Sequence, residues 1–302
     1  MNSFLDQFLT SEEISSLKRA FNSNEPFYIQ KTKRPFNTIP FAQNFIDITS
    51  IKNNWHGPVD VHSKEIQDEC DSMTVDIHRA AEHFESGCGL LINDINNTYH
   101  SHNELIEELK VFFGVSALSY GRSLIYGTPK NGGSATHFDQ NFNLIFQLSG
   151  KKKWKLEENK SVINPLTRHA LNQECDPELQ SYLLDDFPQN IDDFSYEFDL
   201  EEGSMLFVPI GHWHNTHASD DSFALNFTFT TPSWADILLT AMRARIISSD
   251  EWRKRVSGLN DKAVLEDNLV RFQSLLENLA KDLEGWSSID VLSMIEGRDL
   301  RQ

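Results

Sequence analysis

Between Phe142 and Leu148 every even position is large and apolar (Phe142, Leu144, Phe146, Leu148), while the odd positions read Asn143, Ile145 and Gln147. A period of two marks a strand with two unlike faces. Ser222–Thr230 divides the same way, with Phe223, Leu225, Phe227 and Phe229 against Ser222, Ala224, Asn226, Thr228 and Thr230. Both strands present a small, polar face and a bulky apolar one. A barrel with a polar interior and helices over its apolar outside explains the pair. Further strands are predicted at Leu118–Tyr126, Ala135–Asp139, Lys153–Leu156, Tyr196–Asp199 and Ser204–Pro209, so Ala117 to Thr231 reads as a β-sandwich or barrel.

The flanks differ. Ahead of the barrel, Thr10 or Ser11 caps a helix with Ile14, Leu17 and Phe21 on one face. Phe27–Ile29, Pro58–Val61 and Gly89–Ile92 read as short strands. Val75–Ser86 and His102–Phe113 read as amphipathic helices, stopped by Gly87 and Gly114. Glu157–Asp193 is polar, with Pro165, Pro177 and Pro188, and is expected to be a long insertion with one short helix near Leu179–Leu184. After Pro232 the pattern is helical, with Ala235–Ile247, a capped turn at Asp250–Arg253, and Leu265, Leu269, Phe272, Leu276, Leu279 and Leu283 spaced by fours and threes. That heptad seam predicts a homodimer through the C-terminal helices. The alternative is an ordinary helix packed on its own barrel. The expected division is an N-terminal α/β extension packed on the barrel (1–114), a β-barrel core (115–232) and a C-terminal helical region (233–302).

Composition narrows the class. The chain has 302 residues, 39% of them apolar, and includes 21 Phe, which supports a sizeable core. No run approaches the roughly 18 apolar residues of a membrane span, and Met1–Gln7 lacks the features of a signal peptide. Cys70, Cys88 and Cys175 are scattered and odd in number, which suits a reducing cytoplasm. A formal net charge of −18 argues against nucleic-acid phosphates as a partner and favours encounter with basic ones.

His137 and Asp139 stand two apart on a predicted strand, so both side chains leave the same face. His83/Glu85 and His102/Glu104 share that spacing, but on helices i and i+2 diverge. A third ligand must come from elsewhere, and Ile210-Gly211-His212-Trp213-His214 follows an apolar strand. Two histidines and a carboxylate on one face of an ion, with other positions open, suit non-haem Fe(II) oxygenases. His212, His214 and His217 compete for the third place, and Gly211 is expected to break the strand there. A zinc site is the less favoured alternative. In Lys151–Leu156, Lys151, Lys153 and Lys155 share one face and read as a solvated edge. Lys152 falls in line with Trp154 and Leu156, which point inward, and an inward ammonium needs an anionic partner.

Taken together, Tyr126-Gly127-Thr128-Pro129, Gly133-Ser134-Ala135-Thr136-His137-Phe138-Asp139, Phe146–Trp154 and Leu206–His214 resemble the JmjC-type Fe(II)/2-oxoglutarate oxygenases, and more narrowly the cupin-like subgroup of ribosomal-protein hydroxylases. The resemblance covers roughly Leu90 to Arg253. It implies a mainly β fold with helices, built on a double-stranded β-helix (jelly-roll or cupin barrel). It implies His214 as the third metal ligand, since the family's histidine follows a glycine by three places. It further implies Lys152 on the distal carboxylate of 2-oxoglutarate, Asn226 as a pocket asparagine, and Ser134, Tyr126 and Asn143 as cosubstrate hydrogen-bond partners. The ribosomal-protein hydroxylases carry a winged-helix domain after their dimerisation helices, whereas only about 45 residues follow Gly258 here, fewer than a domain needs.

The implied cofactors are Fe(II), 2-oxoglutarate and O2. The expected activity is hydroxylation of a carbon on a protein or peptide side chain, with succinate and CO2 as co-products. A small-molecule (metabolite or natural-product) hydroxylase is the alternative within the enzyme class, and a non-catalytic metal- or sugar-binding cupin is the alternative outside it.

Overall fold

The alternations read above become strands, and the helical stripes become their cover. The computed structural model describes residues 4–63 and 72–301. Cys70 and the first residues of the N-terminus lie outside the described residues. Residues up to 115 together with 120–230 form one compact unit; residues 116–119 and 231–302 form a second.

In the first unit, helix α1 (Ser11–Ser23) starts at Thr10, whose hydroxyl caps the Glu13 amide while the Glu13 side chain returns the bond. Strands β1 (Phe27–Ile29), β2 (Val59–His62), β3 (Ser72–Val75) and β4 (Gly89–Ile92) alternate with helices α2 (Ile48–Asn54) and α3 (Ile77–Glu85), and α4 (Ser101–Phe113) follows. Val75 ends a strand rather than opening a helix, because the Asp76 carboxylate caps α3 one residue later.

The barrel strands are β5 (Tyr120–Thr128), β6 (Gly133–Phe138), β7 (Phe142–Ser149), β8 (Lys152–Glu157), β9 (His169–Ala170), β10 (Tyr196–Leu200), β11 (Met205–Val208), β12 (Trp213–Ala218) and β13 (Ser222–Thr230), with α5 (Pro177–Gln180) between β9 and β10. They form two antiparallel sheets of a jelly-roll. One has the order β1-β11-β7-β13-β5-β4-β2-β3, so the N-terminal strands extend the same sheet as the barrel strands; the other has β10-β8-β12-β6-β9. The fold is mainly β with helices, as expected.

The parity reading holds on both sides. Phe142, Leu144, Phe146 and Leu148 join Phe223, Leu225, Phe227 and Phe229 in one core with Phe8, Phe36, Phe45, Leu109 and Phe113 from the N-terminal segment. Phe36 and Phe146 meet at 4.3 Å between ring centroids, and Phe142 stacks on Phe229 at 4.9 Å. Between the sheets a smaller apolar cluster, Ile145, Trp154, Leu156, Leu200, Leu206, Val208 and Ala224, closes one part of the interior. The remaining inner positions are polar and buried, including Asn143, Gln147, Lys152, Thr216, Asn226 and Thr228.

Three local differences from the sequence reading matter. Strand β8 is not an edge: β10 pairs with it, and Lys151, Lys153 and Lys155 face Glu197, Asp199 and Glu201 across that pair. Residues 213–218 form a strand that the turn at Gly211 concealed. The insertion folds on its own apolar cluster, Val162, Leu171, Leu179, Tyr182, Leu183, Phe187 and Ile191, laid against Phe138 and Trp213.

The second unit holds α6 (Trp234–Ile246), α7 (Asp250–Arg253), α8 (Lys262–Leu283) and α9 (Ser288–Glu296). Arg245 on α6 makes a forked ion pair with Asp282 on α8, at 2.9 and 2.6 Å. No residue of α8 is fully buried. Among the described residues, no helix is long and apolar enough to cross a membrane.

Candidate active site

β6 and β12 are neighbours in the smaller sheet, and His137 on the first is the register partner of His214 on the second. Directly paired residues of adjacent strands point the same way, so the two imidazoles face each other at 4.2 Å between centroids. Asp139 follows the end of β6. Its Oδ2 stands 3.9 Å from His137 Nε2 and 3.7 Å from His214 Nε2.

Two backbone features make this pairing possible. At Gly133 a Cβ would lie 1.9 Å from the Thr216 carbonyl oxygen, so only glycine lets β6 approach β12 this closely. The register shifts between His214 and Thr216, and that bulge brings the two histidines level. Gly211 turns the chain between β11 and β12 with φ +78°, and its amide donates to the Asp139 carbonyl at 2.9 Å. One turn therefore anchors the carboxylate residue and starts the strand that carries His214.

The donor chemistry fits a metal. His137 Nδ1 lies 2.7 Å from the Ala135 carbonyl, and His214 Nδ1 lies 2.9 Å from the His212 carbonyl. A carbonyl only accepts, so each Nδ1 carries the proton and each Nε2 turns its lone pair toward Asp139. Burial, with His137 as the next cause, lowers the His214 pKa to about 3, which keeps that ring neutral. The three donor atoms lie within 4.8 Å of one another. Donors bonded to one ion at right angles stand about 3 Å apart, so each of the two carboxylate–imidazole distances is within about 1 Å of a bonded set. His217 is exposed on the opposite face of β12, while His212 is buried outside this group and serves through its carbonyl.

The residues expected from the sequence to meet a cosubstrate line the same interior. Lys152 is 6% exposed and points between the sheets. Its ammonium donates to Thr128 Oγ1 at 2.9 Å and lies 5.4 Å from the Tyr126 ring and 5.6 Å from the Trp154 ring. Ser134 and Thr216 hydroxyls meet at 3.0 Å across β6 and β12. Asn226 Nδ2 donates to Asn143 Oδ1 at 2.9 Å, leaving Asn226 Oδ1 buried without a protein partner among the described residues. Lys152 pairs in register with Ala218, four residues along β12 from His214. That is about 13 Å of strand, with Thr216 and Trp154 between. Trp154 also stacks on His214, 5.7 Å between ring centroids.

Sequence reasoning passed over Thr128, Thr216 and Arg168. Thr128 was within reach, because it lies two places from Tyr126 on the same strand face. Thr216 went with the strand that was missed. Arg168 comes from the insertion, and nothing local in the sequence marks it.

Comparison with known proteins follows this geometry. Residues 97–237 match the JmjC domain. An uncharacterized protein of Bacillus subtilis (strain 168), YxbC, is 28% identical over 287 residues, covering 93% of this chain and 86% of that one. Ribosomal oxygenase 1 of Danio rerio is 25% identical over 223 residues; these are 68% of this chain but only 38% of that longer protein. The structure of the Escherichia coli ribosomal oxygenase YcfD, in complex with cobalt and 2-oxoglutarate, matches 89% of this chain and 67% of its own, with TM-score 0.50 and 14% identity, a likeness of fold. The JmjC-domain match over residues 97–237, together with the His137–Asp139–His214 site, supports an Fe(II)/2-oxoglutarate-dependent oxygenase.

Proposed function

We propose that this protein is a hydroxylase acting on a carbon of a protein or peptide side chain, with iron(II) held by His137 Nε2, Asp139 Oδ2 and His214 Nε2. The observation that carries this reading is the cross-strand histidine pair. Both Nε2 atoms are aimed at one carboxylate oxygen by hydrogen bonds that fix their tautomers.

When bound, iron(II) with 2-oxoglutarate and O2 supplies the oxidising power, and succinate and CO2 are the co-products. The protein does the rest. Lys152 is a buried cation of the interior and would receive the far carboxylate of 2-oxoglutarate, with the Thr128 hydroxyl and the Tyr126 ring beside it. Ser134, Asn143 and Asn226 supply further polar contacts, and the orphaned Asn226 Oδ1 supports a hydrogen-bond donor entering there. The Ile145–Trp154–Val208 cluster excludes water from one side of the cavity.

The protein substrate is favoured by relatives named as ribosomal oxygenases and by the net charge of −18, which suits a basic partner. Exposed apolar residues along α8 support a homodimer through the second unit. Free thiols at Cys88 and Cys175 suit a cytoplasmic setting.

Purified protein with Fe(II) and 2-oxoglutarate is expected to form succinate, faster when a basic ribosomal-protein peptide is added. His137→Ala and Asp139→Ala should reduce that formation to background. Normal turnover in either variant overturns the metal assignment, and stimulation by small metabolites but not by peptides overturns the protein substrate.

A further inference from the structure

The insertion does more than cover the barrel. Strand β9 pairs with β6 in the register His137 to Ala170 and Phe138 to His169. Continued by one residue, that register sets Asp139 opposite Arg168. The side chains meet there: Arg168 Nε lies 3.4 Å from Asp139 Oδ1, the oxygen turned away from the histidines, while Oδ2 faces both imidazoles. Each oxygen of the carboxylate thus has its own neighbour.

We infer that Arg168 is a positioning residue that occupies Oδ1 of Asp139 and leaves Oδ2 alone to bind the metal, so that the carboxylate acts through one oxygen and the remaining ion positions stay open. The inference rests on reading His137, Asp139 and His214 as the metal site. Asp139 lies just past the end of β6, where no ladder partner fixes its side chain. Its carbonyl is held by Gly211, and among the described residues Arg168 is the charged group that bears on the carboxylate from outside the histidine pair. A carboxylate without that restraint can rotate and chelate through both oxygens, which would consume a position needed for cosubstrate or O2.

Arg168 is itself well supported. The Leu171 amide donates to the Thr136 carbonyl at 2.9 Å, locking β9 against the metal strand on the far side of His169. His169 stacks on Phe187 at 4.4 Å and 19°, and Phe187 stands edge-on to Trp213 at 5.5 Å. Phe138 and Trp213, which belong to this cluster, are chain neighbours of His137, Asp139 and His214. The insertion therefore grips the strands that carry the ligands and adds a guanidinium in line with them.

The test is titration of the full chain with Co(II) alone, followed by visible absorption, for the wild type, H137A, R168M and R168K. Wild type should bind far more tightly than H137A. R168M should bind about 10–100-fold more weakly than wild type, as loss of an outer hydrogen-bonding partner of a metal ligand does. Its absorption should weaken and shift as the second carboxylate oxygen enters the coordination sphere. R168K should recover part of the affinity by donating to Asp139 Oδ1, while its single-point ammonium keeps an altered band. Wild-type affinity and band shape in R168M overturn the role of Arg168 and leave the metal site standing. Equal binding by wild type and H137A overturns the site, and this inference with it. If thermal melting shows that metal-free R168M does not fold, R168K carries the test: a band identical to that of wild type overturns the inference.

Discussion

The two faces of the eight-stranded sheet come from the same strands and the same backbone, yet they do opposite work. On the outside, Phe142, Phe146, Phe227 and Phe229 pack against aromatic rings from the N-terminal segment. On the inside, Asn143, Gln147, Asn226 and Thr228 are buried but polar, and Gln147 Oε1 and Asn226 Oδ1 have no hydrogen-bond partner among the described residues. Burial of apolar area stabilises, whereas burial of polar groups costs free energy unless they are satisfied. The fold is therefore held from outside the barrel, and the interior is kept for ligands. Proteins commonly trade stability for function in this way.

Substitutions can break that contrast. The largest expected effect is Phe146→Ala, which empties a position ringed by Phe4, Phe8, Phe36 and Phe227. Urea unfolding should show a loss of about 3–5 kcal/mol, with Co(II) affinity of the folded fraction unchanged. A loss below 1 kcal/mol would mean that the outer face is not the source of stability.

Next is His102 on α4, a buried polar group among the rings that cover the outer face, bonded to Ser123 at 2.8 Å beneath the Phe41 ring. Burial lowers its pKa to about 4. Because the folded value lies below the unfolded one, the unfolded chain takes up the proton first. Stability is then complete above about pH 6.5 and declines as the pH falls toward 4, by about 3 kcal/mol for this group. His102→Gln should flatten that decline in a pH series of unfolding curves. An unchanged slope would assign the acid sensitivity to other groups.

On the inner face, Lys152→Met should leave unfolding within about 1 kcal/mol of wild type or raise stability, since an apolar chain of similar length replaces a buried cation. The KM for 2-oxoglutarate should rise at least tenfold. A variant that unfolds easily but keeps its KM would reverse the assignment of the two faces. The smallest effect on unfolding is expected in the second unit, where Leu269, Phe272 and Leu276 are 58, 52 and 41% exposed. Phe272→Ser should change unfolding of the isolated chain by less than about 0.5 kcal/mol, yet shift a dimer toward monomer in sedimentation. Unchanged sedimentation would remove α8 from the dimer reading.

What the sequence disclosed follows from the same contrast. Strands with one bulky face were legible: β13 starts and ends where the alternation placed it, and inward Lys152 followed from parity alone. Strand β12 was concealed because its buried inner face is made of His214, Thr216 and Ala218, so an apolar period is absent where the strand is most functional. The turn at Gly211 was read as an end when it is a beginning. His214 could be selected only by resemblance, because a partner in register across two strands leaves no local trace. Arg168 was beyond reach for a different reason: its position depends on how the whole insertion folds.

One feature of the topology bears on how the protein is made. β13, the last strand of the barrel to leave the ribosome, is seated in the middle of its sheet between β7 and β5. Until residues 222–230 emerge, both neighbours present unpaired edges and uncovered phenylalanines, a sticky condition that chaperones exist to shield. A nascent chain halted just short of that strand is a candidate for aggregation rather than a smaller working enzyme.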